Sequence, residues 1–212
     1  MDNCTYKRLI EGNQNWVDLT NQQDPEFFKT LESAQKPKVL WIGCADSRVP
    51  ANQITSTLAG EIFVHRNVAN VVVHTDMSCL TVLEYAINVL KVEHVIVCGH
   101  YGCGGVLAAM GREHYGVIDN WLCHIKDVYR LHDKELDAIE DEHQRGRRFV
   151  ELNVIEQVLN VCKTSTVQKA WREFERPHIH GWVYDLGNGL IKDLNVNITD
   201  FEDLRRIYRF EL

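Results

Sequence analysis

The chain predicts an α/β fold, a mostly parallel β-sheet core flanked by helices. Three observations carry that expectation. "VLWIG" and "VIVCG" are apolar runs without polar alternation, as strands buried on both faces require. Stretches of helical periodicity alternate with them, and that alternation implies parallel crossovers. Near the end, "HIHGWVYDLGNGLIKDLNV" reads as two strands joined at Gly187-Asn188-Gly189, a hairpin.

The elements follow in order. "TYKRLIEGNQNWVDLTNQQ" predicts a moderately amphipathic helix. Asp24-Pro25 starts a second, "PEFFKTLESA", with Pro at its first position, and it stops before Lys36-Pro37. A strand over 38–43 comes next. "EIFVHRNVAN" predicts a strand of about five residues ending near His65. "TDMSCLTVLEYAINVL" carries Met77, Leu80, Leu83, Tyr85, Ile87 and Leu90 at roughly helical spacing, with Thr75 or Asp76 as cap. "HVIVCGH" is the third strand. Helices are predicted at 103–111, 119–133, 149–162 and 164–174. The charged run "HDKELDAIEDEHQRGRR" reads as a solvated helix face and turn. There is no internal repeat, low-complexity stretch or linker.

Composition excludes several function classes. A formal net charge of −7 gives no electrostatic case for nucleic acid. No apolar run approaches the ~20 residues of a membrane helix. The first sixteen residues hold no apolar signal core, so a cytoplasmic or organellar-matrix chain is the expectation. The seven cysteines are odd in number and scattered, which suits a reducing compartment. Cys4, Cys79, Cys123 and Cys162 lie in helical patterns and are expected to pack as small hydrophobes.

Two stretches carry chemistry. In "KVLWIGCADSRVPANQ", Cys44, Asp46 and Arg48 follow the glycine that ends a strand. In "VIVCGHYGCGG", Cys98, His100 and Cys103 stand where a buried strand turns into a helix. Ligands bind at the carboxyl ends of parallel strands, so two strand ends bring Cys44 together with the second group. Three readings compete. A phosphate-cradling loop lacks its third glycine, since Leu107 stands there. A tight strand–helix turn would leave Cys and His as bystanders. A metal site uses thiolate and imidazole as zinc ligands, and two thiolates with one imidazole leave a fourth position open. Spacing alone leaves open which thiol joins His100. The glycines favour Cys103 and assign Cys98 to the core.

"CADSRVP", "FVHRNVAN" and "CGHYGCGG", in that order and spacing, resemble the β-class carbonic anhydrases of bacterial type, and the resemblance runs from "ESAQKPKVLWIGC" to "IHGWVYD". It implies a single domain in which residues 1–35 form a helical arm embracing a neighbouring subunit and 36–212 form the zinc-binding core. It implies homodimers or homotetramers. The family's zinc ligands fall on Cys44, His100 and Cys103, one zinc per subunit, and its acid–base pair on Asp46 and Arg48. The substrate pocket falls on Gln35, Phe63, Val68, Tyr85 and the Gly104 N–H, partly from a second subunit. A subclass binds bicarbonate away from zinc, and those positions fall on Trp41, Arg66 and Tyr184. In that subclass Asp46 becomes the fourth zinc ligand in a closed, inactive state.

The implied reaction is reversible hydration of carbon dioxide to bicarbonate and a proton, inhibited by bicarbonate and by low pH. Two other functions fit the same residues: hydrolysis of a carbon dioxide analogue such as carbon disulfide, and a closed non-catalytic zinc or redox-sensing site.

Overall fold

The computed structural model describes residues 4–211. The described chain forms two compact units, parting between Lys36 and Pro37. In the first, helix α1 (Cys4–Gln23) is followed by α2 (Phe27–Ser33), and no residue of either helix is buried. Trp16, Phe27 and Phe28 form an edge-to-face aromatic group with centroids 5.2–6.3 Å apart.

The second unit is built on a sheet in the order β2-β1-β3-β4-β5. Its strands are β1 (Val39–Cys44), β2 (Ile62–Asn67), β3 (His94–His100), β4 (His178–Tyr184) and β5 (Ile191–Ile198). The first four run parallel, and β5 returns antiparallel to β4 through the hairpin. The mostly parallel α/β class is therefore the observed one. Connections use α3 (Ala51–Ile54), α4 (Met77–Glu84), α5 (Gly104–Met110), α6 (Ile118–Leu131), α7 (Asp133–Asp137), α8 (Glu142–Cys162) and α9 (Ser165–Phe174). Asp76 caps α4, accepting from the Ser78 and Cys79 N–H groups, and such a cap contributes about 1 kcal/mol. Beyond Glu84 the helix widens into a π turn over Tyr85–Val89.

One sheet face carries the main core. Leu40, Ile42, Val95, Val97, Ile179 and Val183 are buried there with Phe149, Val154, Val158 and Val161 of α8. Each such side chain, fully buried, contributes roughly 1.5–3 kcal/mol. Close approach of α8 requires glycine beneath it: a Cβ on Gly99 would lie 2.6 Å from the Val154 side chain. On the other face Trp41, Ile96 and Cys98 form a smaller cluster with Trp182 and Tyr184 packed against it. The Trp41 ring folds over Gly43, where any Cβ would collide with it.

Several expectations need correction. Helix α8 starts at Glu142 rather than 149, so it takes in much of the charged run. That run is not simply solvated. Arg145 donates to the Ile139 carbonyl at 2.7 and 2.9 Å, Arg147 pairs with Asp185, and Arg148 joins Glu135 to Glu151. Charge alternation alone does not reveal partners distant in sequence. Cys79 and Cys162 are buried as expected, but Cys4 and Cys123 are exposed. Cys123 takes the outer face of α6, whose buried stripe is Leu122, Ile125 and Val128. Strand β2 extends to Asn67, and the short α3 was not expected.

Candidate metal centre

Strands β1 and β3 are neighbours, and both end at the same edge of the sheet. Cys44 is the last residue of β1 and His100 the last of β3. The chain then turns through Gly102, whose φ of 69° suits glycine, and presents Cys103 just before α5. Cys44, His100 and Cys103 are all buried, and their ligand atoms lie within 4.8 Å of one another. Cys98 is not among them. It lies on the sheet face opposite Cys44, its thiol donates to the Gly99 carbonyl, and burial pushes its pKa up.

The donor set fits a divalent ion of borderline softness. His100 Nδ1 donates to the Tyr101 carbonyl at 3.1 Å, which fixes the tautomer and leaves Nε2 with its lone pair. That Nε2 is buried without a hydrogen-bond partner. The two sulfur atoms are 3.9 Å apart. Hydrogen bonding from Cys103 pulls Cys44 down to about 4, and the Cys44 charge with burial pushes Cys103 up. Two adjacent thiolates require a cation between them, and zinc suits two thiolates and an imidazole.

Beside this triad Asp46 is held from three directions. Its Oδ1 accepts from the Arg48 backbone N–H and Nε, each at 2.9 Å, and its Oδ2 from a terminal Arg48 nitrogen at 2.7 Å. The Arg48 fork holds the carboxyl far below the usual carboxylate range. Asp46 Oδ2 is 3.7 Å from His100 Nε2, so the carboxylate faces the open side of the triad. Arg66 donates through Nε to the Cys44 carbonyl at 2.9 Å and through a terminal nitrogen to the Asp46 carbonyl at 2.5 Å.

The remaining predicted residues are placed as follows. Phe63 and Tyr85 form a tilted ring pair with centroids 5.8 Å apart, and Tyr85 and Val68 are exposed at 43% and 37%. Val68 also lines an apolar hollow of about 570 Å³ with Val117, Ile118 and Trp121. Gly104 opens α5 and Gln35 follows α2 in the N-terminal unit. Trp41 and Tyr184 share the small cluster on the second sheet face, and Arg66 stands opposite Gly43 in the register. Trp41 meets Trp182 edge-on at 6.2 Å, and the indole N–H of Trp182 is buried without a hydrogen-bond partner among the described residues. A cavity of about 620 Å³ between α4, α9 and Tyr208 holds none of these residues.

Sequence reasoning missed one group. The loop after β2 brings the Ala69 N–H to 3.4 Å from Cys44 Sγ. Asn153 and Gln157 of α8 hold that loop from below. The available signal was polar residues at positions 153, 157 and 160 inside the apolar run "FVELNVIEQVLNVC", a helical spacing on a helix that should be buried.

A parallel sheet with two cysteines and a histidine converging at its strand ends defines an α/β protein with a candidate transition-metal centre. The carbonic anhydrase family model matches residues 39–191. A carbonic anhydrase of Emericella nidulans is 51% identical over 96% of this chain and 90% of its own length. One from Pseudomonas aeruginosa is 35% identical over 86% of this chain and 87% of its own. The β-carbonic anhydrase of Coccomyxa, solved with acetazolamide, superposes with a TM-score of 0.89 at 38% identity, covering 95% of this chain and 90% of that one. A tetrameric β-carbonic anhydrase of Sordaria macrospora gives 0.88 at 39%, covering 92% and 98%. The chain belongs to the β-class carbonic anhydrase family and is an enzyme of that kind.

Proposed function

We propose that this chain hydrates carbon dioxide reversibly at one zinc ion held by Cys44, His100 and Cys103. The convergence of those three buried donors, with Nε2 of His100 unpartnered, is the observation that carries the reading. Bound zinc supplies a Lewis acid that lowers the pKa of a water molecule. The chain's own residues do the rest. Asp46 accepts a hydrogen bond from the reacting water and orients it, and Arg48 keeps the carboxylate in place and ionised. Phe63, Val68 and Tyr85 give the uncharged substrate an apolar wall, with the Gly104 N–H and Gln35 as polar contacts, the pocket being supplied partly by a second subunit. The charges of Cys44 and Cys103 place the activity at more alkaline pH than three neutral imidazoles would.

A second position for bicarbonate, at Trp41, Arg66 and Tyr184, belongs to the same proposal. The shared cluster of Trp41 and Tyr184 supports it, as does the Arg66 link to the Asp46 carbonyl. Bicarbonate there draws on Arg66 for charge and favours the state in which Asp46 leaves Arg48 for the fourth coordination position. The assembly is a homodimer or homotetramer in which α1 embraces a second copy. Exposed Tyr6, Leu9, Ile10, Trp16 and Leu19 support that arrangement. Cytoplasmic residence accords with cysteines that form no disulfide.

The test is metal content with carbon dioxide hydration, measured by stopped flow. Cys44→Ser, His100→Ala and Cys103→Ser are expected to lose zinc and activity severely, while Cys98→Ser keeps both. Full zinc occupancy in the first three variants overturns the ligand set. Zinc-loaded wild type without hydration activity overturns the reaction.

A further inference from the structure

Helix α8 buries polar side chains where its neighbours are Val, Leu and Phe. Asn153 and Gln157 are each 1% exposed. Their bonds lead to one place. Asn153 Nδ2 donates to the Ala69 carbonyl at 3.1 Å. Gln157 Nε2 donates to Asn153 Oδ1 at 3.1 Å, and Gln157 Oε1 accepts from the Val72 N–H at 2.9 Å. Asn160 donates to the Val72 carbonyl at 3.2 Å. From the other side, Trp121 Nε1 donates to the Val68 carbonyl at 2.8 Å. Asn67 closes the loop through the Val71 N–H and carbonyl at 2.8 and 2.7 Å.

The loop so pinned is strained. Ala69 and Asn70 have φ of 64° and 49°, in the left-handed region. For a residue with a Cβ such a conformation persists only where its surroundings over-determine it. Its outcome is the Ala69 N–H directed at Cys44 Sγ, 3.4 Å away. A hydrogen bond to a thiolate draws electron density off the sulfur and weakens its donation to a metal. Loss of the Asn153 amide would leave the buried carbonyl of the Ala69–Asn70 peptide unpaired, and its relief by rotation toward water would disturb the left-handed dihedrals of Ala69, which aim the N–H of the preceding peptide at Cys44.

We propose that Asn153 is a positioning residue for the metal centre: through Ala69 it holds the N–H···S hydrogen bond that tunes Cys44. The proposal rests on Cys44 being a metal ligand. Asn153 touches neither substrate nor metal, and its action runs through the backbone of Ala69.

The experiment uses the full chain with cobalt(II) replacing zinc, because thiolate ligation of cobalt gives a charge-transfer band in the near ultraviolet. The variants are Asn153→Leu, close in size, and Asn153→Ala. Val158→Ala is the control, a fully buried position on the same helix that bonds to no part of the loop. The expected result is a charge-transfer band shifted to longer wavelength in both Asn153 variants, since a thiolate without its N–H donor is easier to oxidise, and a changed rate of cobalt loss to a chelator. The control keeps the wild-type band although it melts earlier. A band unchanged between wild type and Cys44→Ser means that Cys44 is not a ligand, and the underlying assignment fails. A normal wild-type band, unchanged in a folded Asn153 variant, overturns the positioning role alone. An equal shift in Val158→Ala also overturns it, because general loosening of α8 would then suffice.

Discussion

At the scale of single residues, the pair that follows Cys44 sets the chemistry. Asp46 accepts three hydrogen bonds from Arg48, and that fork drives its pKa down. The sign of the linkage follows. A carboxyl depressed in the folded state contributes its stability above the ordinary carboxylate pKa of about 4, and loses it as pH falls through and below that value. Asp46 is therefore ionised at neutral pH, and the alkaline rise in activity proposed above would come from another group. Asp46→Asn is expected to keep zinc yet lose turnover by roughly 10²-fold or more, the scale of a lost acid–base group. Unimpaired hydration across the pH range would remove Asp46 from the reaction. Cys44 and Cys98 illustrate the limits of residue type. Burial pushes Cys98 up, whereas Cys103, His100 and neighbouring backbone groups pull Cys44 down to about 4 against its own burial. It is Cys98 and Cys103 that share one motif, and only the glycines between them pointed to Cys103 as the partner of His100.

At the scale of elements, the sheet separates two kinds of site by its pleat. The ends of β1 and β3 turn their donors toward one place, while Trp41, Cys98, Trp182 and Tyr184 occupy the second face. The proposed bicarbonate site lies on that face, and Arg66 bridges from β2 to the carbonyls of Cys44 and Asp46. A ligand shifts a two-state equilibrium only through its different affinity for the two states. Bicarbonate is therefore expected to inhibit wild type and to inhibit Tyr184→Phe less, because the variant lacks one O–H donor. If Asp46 were to take the fourth zinc position in place of hydroxide, one proton would be taken up, and lower pH would act in the same direction. Wild-type activity is expected to fall steeply below about pH 8, taking the bound water's pKa at or above ~7. Steady-state profiles with and without bicarbonate check both statements. Equal sensitivity in the two proteins, after correction for product inhibition, leaves Trp41 as a core residue.

At the scale of the whole molecule, the amphipathic pattern of α1 has no counterpart in burial. Tyr6, Leu9, Ile10 and Leu19 are 58–65% exposed. Apolar side chains in such a row are expected to be covered by a second copy, at roughly 25 cal/mol for each Å² removed from water. Leu9→Glu with Ile10→Glu is expected to lower the oligomeric state measured by light scattering, and to reduce activity with it, since Gln35 and part of the pocket are proposed to act across subunits. An unchanged assembly with unchanged activity would sink that role for the arm. Among the described residues no helix is long and apolar enough to cross a membrane.

Much of this was legible before any coordinates. The apolar runs at 39–43 and 95–99 became β1 and β3, and Asp76 became the cap of α4, because burial and capping act through neighbours a few residues away. The donors Cys44, His100 and Cys103 were legible as residue types at strand ends. Other features depended on the fold. The turn at Gly102 brought Cys103 to His100, while Cys98 packed into the cluster on the face opposite Cys44. The left-handed Ala69 and the α8 amides beneath it stand 84 residues apart in the chain. A periodicity reads forces between near neighbours. Hydrogen bonds across such separations exist only after the sheet and α8 have packed, so the chain carries the residues for the centre, and packing gives them their partners, protonation and direction.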